Sequence, residues 1–410
     1  MKGWITQTIG ELCDAGRGKV QTGPFGSQLH ESDYSDAGTP VVMPKNILGS
    51  RINENGIARV SESHVFRLRR HKLAKGDIIY GRRGDIGRQA LVRDEYVGWL
   101  CGTGCLRITL GKAPVTPQFL HRYLQSSDII RWIECQAIGA TMPNLNTNIL
   151  RRIPVTFPVS SRTQLTITTL LSAFDELIET NERRITLLET MAEEIYREWF
   201  VRFRFPGREN VKRLKGVPVG WDIKRLGSVL DLLYGKALKD DDRIPGDFPV
   251  YGSSGVVGTH NEALVKTPGL IVGRKGNVGS VYWSDKGFFP IDTVYFVKSE
   301  LPNSFLYFLL RSMNFINNDS AVPGLNRSQA YSNQFFLPPM PLIQKYTEIV
   351  DPQFEMKRVL VQQNEKLTAT RDSLLPRLIS GKVSVESLDI PFPPSISEEM
   401  NSETTASPHA

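Results

Sequence analysis

Ile78-Ile79-Tyr80-Gly81-Arg82-Arg83-Gly84-Asp85-Ile86-Gly87 occurs a second time in the chain, as Leu270-Ile271-Val272-Gly273-Arg274-Lys275-Gly276-Asn277-Val278-Gly279. The two stretches align without a gap. In both, an apolar run leads into a loop in which two basic residues lie between glycines. Such a run, bounded by glycines, is typical of a buried strand followed by a tight turn. The repeat predicts two copies of one structural unit.

Two further matches extend this repeat over most of the chain. Met142-Pro143-Asn144-Leu145-Asn146 is matched by Val322-Pro323-Gly324-Leu325-Asn326, and the opening Trp4…Ile9-Gly10 is matched by Trp221…Leu226-Gly227. The landmarks keep their order while the distances between them differ. Self-similarity over units much longer than a solenoid repeat indicates duplicated domains. Two related but unequal domains suit a target with two unlike halves.

The composition fits a soluble globular protein with more than one domain. The chain has 410 residues, of which 40% are hydrophobic and 23% charged, and this length exceeds that of a typical single core. A net charge of +7 favours an anionic partner, although a basic surface without a special function explains this number equally well. The sequence shows neither a long apolar run nor a signal peptide, so we expect a cytoplasmic protein.

The sequence offers no catalytic or metal-binding pattern. The four cysteines and six histidines show no zinc-ligand spacing and no disulfide framework. Asp351-Pro352-Gln353-Phe354 resembles the adenine-methyltransferase tetrapeptide, but Gln353 replaces its second proline and no glycine-rich loop for S-adenosylmethionine accompanies it. A phosphate-binding loop for ATP is also missing. We therefore expect a protein that is not an enzyme, has no catalytic residue or metal site and binds no cofactor itself.

Two long helices with apolar seams are predicted. The first follows Arg162, and its seam comprises Leu171, Phe174, Ile178, Asn181, Ile185, Leu188, Ala192, Ile195 and Trp199. In the second, Leu360, Leu367 and Leu374 recur at seven residues and Met356, Gln363 and Thr370 interleave with them. With Asp351 as N-cap, Pro352 predicts the start of this helix, and Pro376 and Gly381 predict its end. The polar Asn181 and Gln363 either fix the register or are simply tolerated. Burial of one seam on the other favours an antiparallel coiled coil.

Each repeated unit is predicted to be a mixed α+β domain. Short runs at 40–43, 77–80, 106–110, 270–272 and 293–297 have the composition of strands, and 117–124 and 304–313 that of helices. The predicted organisation is domain 1 at 1–157, a central helical spacer at 158–206, domain 2 at 207–340, a C-terminal helical spacer at 341–388 and a disordered tail at 389–410.

The chain resembles the DNA-specificity (S) subunits of type I restriction-modification systems. The phrases that carry the resemblance are Gly76 to Gly87, Asp247 to Gly258 and Pro338 to Gln344, in this order, and the resemblance extends from Trp4 to Val383. It implies two target-recognition domains that read a bipartite asymmetric DNA site, with the helices as a ruler. It also implies assembly with two DNA adenine methyltransferase (modification) subunits that bring S-adenosylmethionine, and with restriction/translocase subunits that use ATP and Mg. The alternative from another class is a scaffold protein whose repeats bind protein ligands.

The candidate site residues fall into two groups. The DNA-binding candidates are Lys45, Asn46, Arg82, Arg83, Arg274 and Lys275. In the two loops, basic residues beside close-approaching glycines suit phosphate contacts. For Lys45 and Asn46, the family resemblance implies a position that faces the target. A plain solvated turn fits the glycine-flanked loops too, and an ordinary turn fits Asn46. The candidates for helix pairing and partner docking are Ile178, Ile185, Leu188, Leu360, Leu367 and Leu374.

Overall fold

The computed structural model describes residues 3–82, 87–136, 145–315, 324–388 and 390. The chain forms two units, of which the first comprises residues 1–178 and 366–410 and the second residues 179–365. Each long helix therefore contributes one part to each unit.

The strands of the first unit form two small sheets and two ribbons. They are β1 (Trp4–Thr8), β2 (Lys19–Thr22), β3 (Tyr34–Ser35), β4 (Thr39–Val42), β5 (Ile47–Leu48), β6 (Arg51–Ile52), β7 (Ala58–Val60), β8 (Ile78–Gly81), β9 (Gln89–Leu91), β10 (Leu100–Cys101), β11 (Cys105–Thr109) and β12 (Pro154–Pro158). One sheet has the antiparallel order β2-β11-β8-β9 and the other the mixed order β10-β4-β7-β3, while β1 pairs with β12 and β5 with β6.

The second unit repeats this arrangement. Its strands are β13 (Arg213–Leu214), β14 (Val217–Pro218), β15 (Asp222–Arg225), β16 (Leu230–Tyr234), β17 (Phe248–Gly252), β18 (Gly255–His260), β19 (Gly269–Gly273), β20 (Val281–Ser284), β21 (Phe289–Pro290), β22 (Val294–Ser299) and β23 (Gln334–Leu337). The sheet β16-β22-β19-β20 matches β2-β11-β8-β9 strand for strand, and the ribbon β15-β23 matches β1-β12. The parallel pair β17 and β21 corresponds to β4 and β10. The predicted duplication and the α+β class are confirmed.

The helices are α1 (Ile9–Gly16), α2 (Glu62–Arg67), α3 (Pro117–Tyr123), α4 (Ser127–Gln136), α5 (Thr147–Arg152), α6 (Ser161–Tyr196), α7 (Asn303–Ser312), α8 (Arg327–Ser332) and α9 (Met340–Ile379). Local capping explains several starts. Thr8 and Glu11 form a reciprocal capping box at α1, and Thr116 caps α3 with Pro117 in its first turn. Asn146 and Asn326, which come from the repeated phrase, cap α5 and α8 in the same way. The two predicted short helices correspond to α3 and α7.

The long helices are present. The start predicted for the second was wrong, whereas its end, at Ile379, lies between the predicted Pro376 and Gly381. The α6 helix has 36 residues and continues into a π-helical turn at Arg197–Val201. The α9 helix has 40 residues, so it is not the shorter one, and both Pro352 and Pro376 lie inside it. Because Pro352 has no backbone N–H, the carbonyl of Glu348 lacks its helical donor. Both residues are exposed, so water can bind that carbonyl. Burial of Tyr346, Val350 and Phe354 in the core holds the helix across this break.

The two helices are antiparallel. In the second unit Asn181 pairs with Asn364 and Glu189 with Lys357, so residue numbers fall along α9 as they rise along α6. In the first unit Asp175 pairs with Arg371 at 2.6 Å. The predicted seam of α6 is confirmed, since all nine of its residues are buried or partly buried.

The seam of α9 was predicted only in part. Leu360 is buried and Leu367 and Leu374 partly so, but Met356, Gln363 and Thr370 are exposed. The inward positions between the leucines are occupied one residue later, by Lys357, Asn364 and Arg371. A seven-residue spacing fixes the period of a helix face, whereas the identity of the interleaved position depends on the partner side chains.

Candidate nucleic-acid interface

The first basic residue of the repeated phrase accepts the same backbone hydrogen bond in both units. In the first, the N–H of Leu145 donates to the carbonyl of Arg82 at 3.0 Å, and in the second the N–H of Leu325 donates to the carbonyl of Arg274 at 2.7 Å. The two phrases that revealed the duplication therefore meet in space within each unit. This contact fixes the backbone from which the basic side chains project.

In the second unit, the loop carries two arginines on one exposed tyrosine. Tyr234, at the end of β16, is 49% exposed, and the guanidinium carbons of Arg274 and Arg327 lie 5.0 and 5.2 Å from its ring centroid. Arg274 also donates to the carbonyl of Asp292 at 2.9 Å. Among the described residues, no carboxylate forms an ion pair with either arginine. Two uncompensated guanidiniums beside one aromatic ring suit a polyanion.

Lys275 completes this cluster, and Tyr295 lies next to Tyr234 and Arg274. Lys275 is exposed, and its backbone bridges to Gly324. The buried Tyr295 hydroxyl donates to the carbonyl of Leu325 at 3.1 Å, and burial raises the pKa of Tyr295 to about 12, so the hydroxyl keeps this proton. We call Tyr234, Arg274, Lys275 and Arg327 the arginine–tyrosine cluster. Sequence reasoning missed Tyr234 and Arg327, and an aromatic residue that ends a strand was the only available signal.

In the first unit, Arg82 and Lys45 come from neighbouring backbone. Pro44 lies against Gly81 and Gly104, and the N–H of Arg82 donates to the carbonyl of Gly104 at 2.8 Å. Lys45 is exposed and Arg82 partly buried, with its Nε donating to the carbonyl of Leu145 at 3.1 Å. Arg83 lies outside the described residues.

Asn46 is in the interior. It is 2% exposed; its side-chain oxygen accepts from the N–H of Met43 at 3.0 Å, and its amide nitrogen donates to the carbonyl of Asn53 at 3.4 Å. These bonds hold the turn after β4, which is the ordinary role that an asparagine takes in a turn. Lys45 is thus the exposed member of the predicted pair.

The helix-pairing candidates lie along the seam. Ile178, Ile185, Leu188, Leu367 and Leu374 are partly buried, and Leu360 is 2% exposed. Around Asp175 the seam is charged: Arg122 and Arg371 lie 2.5 and 2.6 Å from its carboxylate. Burial alone would raise the pKa of Asp175, but these two guanidiniums lower it overall.

The methyltransferase-like tetrapeptide lies within α9, and its phenylalanine packs on a neighbouring aromatic ring. Phe354 is 7% exposed and stacks on Trp283 with ring centroids 4.5 Å apart. Within the described part of the chain, no group of three or more His, Cys, Asp or Glu could hold a metal ion. In the same residues, no helix is both long and apolar enough to span a membrane.

The described residues form duplicated α+β units and two long antiparallel helices, with basic residues at the repeated positions. Comparison with known proteins relates these features to a family. The model of the family described as "Type I restriction modification DNA specificity domain" matches residues 1–190 and 218–369. The chain belongs to this family. Specificity subunits are a non-catalytic class within type I restriction systems, and the family's role is recognition of DNA sequence.

Two curated relatives match most of the chain. It is 24% identical to the Type I restriction enzyme MjaIX specificity subunit of Methanocaldococcus jannaschii, over 94% of this chain and 95% of that protein. It is 22% identical to the Type I restriction enzyme HindI specificity subunit of Haemophilus influenzae, over 76% of this chain and 87% of that protein. The crystal structure of the S subunit of a type I restriction-modification system from M. genitalium has a TM-score of 0.57 and 19% identity, and the match covers 92% of this chain and 96% of that one. The similarity to this crystal structure supports the fold.

Proposed function

We propose that the chain recognises a bipartite, asymmetric site in double-stranded DNA, with one half-site read by each unit. The observation that carries this proposal is the matching backbone hydrogen bond that each unit makes to the first basic residue of the repeated phrase, Arg82 in one unit and Arg274 in the other. Unequal side chains around equivalent positions suit two unlike half-sites. We propose recognition domains at 1–157 and 207–340 and helical spacers at 158–206 and 341–388. The tail predicted at 389–410 lies, except for residue 390, outside the described residues.

Phosphate contacts are the first testable part of this function. Each phosphate that a protein neutralises contributes about 0.9 to the slope of log affinity against log salt on duplex DNA. Replacing Arg274 and Arg327 together by alanine should therefore reduce this slope by up to about 1.8. A matched control removes two charges from the helices, with Arg183→Ala and Arg358→Ala, both of which pair with a glutamate on their own helix.

The measurement is binding to duplex DNA at several salt concentrations. An equal slope in the double variant and the wild type would show that the arginine–tyrosine cluster is a solvated surface. Absence of binding to duplex DNA even at low salt would instead favour the scaffold function.

The half-sites should be separable. Exchange of residues 1–157 for the equivalent part of a related specificity subunit should change one half of the methylated sequence and leave the other half unchanged. For two domains that approach one face of the duplex, the half-site centres should lie about one helical turn, roughly 34–36 Å, apart. Methylome sequencing of a host that expresses the chimera gives the result, and a motif altered in both halves would contradict independent reading.

The catalytic steps are assigned to partners. We propose assembly with two adenine-methyltransferase subunits, which carry S-adenosylmethionine, and with restriction/translocase subunits, which carry ATP and Mg, in the cytoplasm. Paired helices are the proposed docking element, because their length exceeds what the packing of either core requires. Leu360→Asp with Leu367→Asp should unpair them and abolish capture of the modification subunit in a pull-down, whereas Met356→Asp, at an exposed position, should not.

A further inference from the structure

A basic segment of the first unit carries an exposed phenylalanine. Residues 66–72 read Phe-Arg-Leu-Arg-Arg-His-Lys, and no acidic residue occurs between Ser63 and Gly76. Phe66 is 72% exposed, although it belongs to α2. The segment therefore places a large apolar ring at the surface among basic residues.

The backbone of this segment is held firmly. Val65 and Leu68 are buried against the sheet that contains β4 and β10. Arg107 of β11 donates to the carbonyls of Lys72 and Arg70, the latter at 3.2 Å, and is itself 6% exposed. Phe66 is therefore presented by a rigid support and does not belong to a fraying end. Arg107 lies two residues along β11 from Cys105, which pairs with Gly81, next to Arg82.

The cations around the phenylalanine are largely uncompensated. The guanidinium carbon of Arg69 lies 5.2 Å from the Phe66 ring centroid. Arg67 is engaged by Asp33 at 3.3 Å. Arg69, Arg70 and Lys72 are exposed, and in the described parts of the chain none of them forms an ion pair with a carboxylate. Arg70 also donates from its Nε to Nε2 of His71 at 3.0 Å. Three cations without a carboxylate partner, in the same segment as an apolar ring, complement a surface in which phosphates flank stacked bases.

We propose that Phe66 is a wedge that inserts between base pairs of the bound duplex, while Arg69, Arg70 and Lys72 contact the phosphates on either side. This inference rests on the proposed function and goes beyond it, because it adds deformation of the DNA to its reading. Apolar side chains that enter a base step partly unstack it and kink the duplex by about 20–90°. Flexible pyrimidine–purine steps are the easiest to unstack, so the first unit's half-site should contain or adjoin such a step.

The test uses the full chain in complex with its modification subunits, on a duplex that carries the site found by methylome mapping. Energy transfer between dyes at the two ends of this duplex reports bending. Phe66→Ala should straighten the DNA and weaken binding on the order of tenfold, with an unchanged salt slope. Phe25→Ala is the matched control, because Phe25 is also exposed in this unit, at 55%, and has no cation beside it in sequence.

The possible outcomes distinguish the wedge proposal from the proposed recognition of DNA on which it rests. Phe66→Ala with wild-type bending and affinity would overturn the wedge and leave recognition of the site intact. Loss of modification-subunit capture in Phe66→Ala, with normal bending in the complexes that still form, would show a protein-docking residue and also overturn it. If the wild-type complex did not bind the mapped duplex, the proposed function itself would fail.

Discussion

The asparagine pair in the helix seam offers a quantitative test of the antiparallel register. Asn181 is 2% exposed, and its amide nitrogen donates to the side-chain oxygen of Asn364 at 2.9 Å. Asn181→Leu deprives Asn364 of this buried partner, and Asn364→Leu does the same to Asn181. Loss of one partner from a buried hydrogen bond costs about 1–3 kcal/mol, so each single variant should be destabilised by that amount.

The double variant should behave differently from the sum of the two singles. With leucine at both positions neither amide is buried, and replacement of a buried polar pair by apolar residues is often neutral or stabilising. We expect the free energy of unfolding of the double variant, Asn181→Leu with Asn364→Leu, to lie within about 1 kcal/mol of the wild-type value or above it. A double variant equal to the wild type corresponds to a coupling energy of about 2–6 kcal/mol, the sum of the two single costs. Urea unfolding followed by circular dichroism at 222 nm measures these differences.

The adjacent Gln363 provides the control. It is exposed, so Gln363→Leu should change stability by no more than about 0.5 kcal/mol. A double variant destabilised by the full sum of the singles would refute the pairing of Asn181 with Asn364. A cost for Gln363→Leu equal to that for Asn364→Leu would refute the helix face described here.

Three other residues give predictions with simple measurements. Burial, together with the nearby Arg70 and Arg107, lowers the pKa of His71 to about 4. The neutral imidazole therefore stabilises the fold above pH 6.5, and this contribution is lost as the pH falls towards 4. In His71→Gln the melting temperature should depend less on pH across this range than in the wild type. The pKa of Asp175 is lowered overall, so its ionised form contributes stability above the usual carboxyl pKa and loses it in acid; Asp175→Asn should lower the melting temperature more at pH 7 than at pH 3. Pro352→Ala restores a backbone donor inside α9 and should raise stability by about 1–3 kcal/mol in urea unfolding.

Local sequence rules predicted several strands well. The ten-residue repeat placed β8 and β19, because a buried strand needs an apolar run bounded by glycine. The same rules were wrong for Pro352, where they predicted a helix start. The burial of Tyr346 and Val350 before it, and of Phe354 after it, outweighs the local cost of a proline within the helix.

The arginine–tyrosine cluster could not be predicted from sequence. Tyr234, Arg274 and Arg327 are far apart in the chain and meet because β16, the loop after β19 and the start of α8 converge in the second unit. The interior position of Asn46 could not be predicted either, because it depends on hydrogen bonds to the carbonyl of Asn53 and from the N–H of Met43.

The sequence by itself determined the duplication, the α+β class and the leucine spacing of the second helix, because each is a periodic or repeated property of the chain. The tertiary structure alone decided which residues lie between those leucines. Lys357, Asn364 and Arg371 face inward because Glu189, Asn181 and Asp175 on the antiparallel helix pair with them. A polar residue can occupy such a position only where a partner satisfies it, and that partner lies almost 200 residues away in the chain.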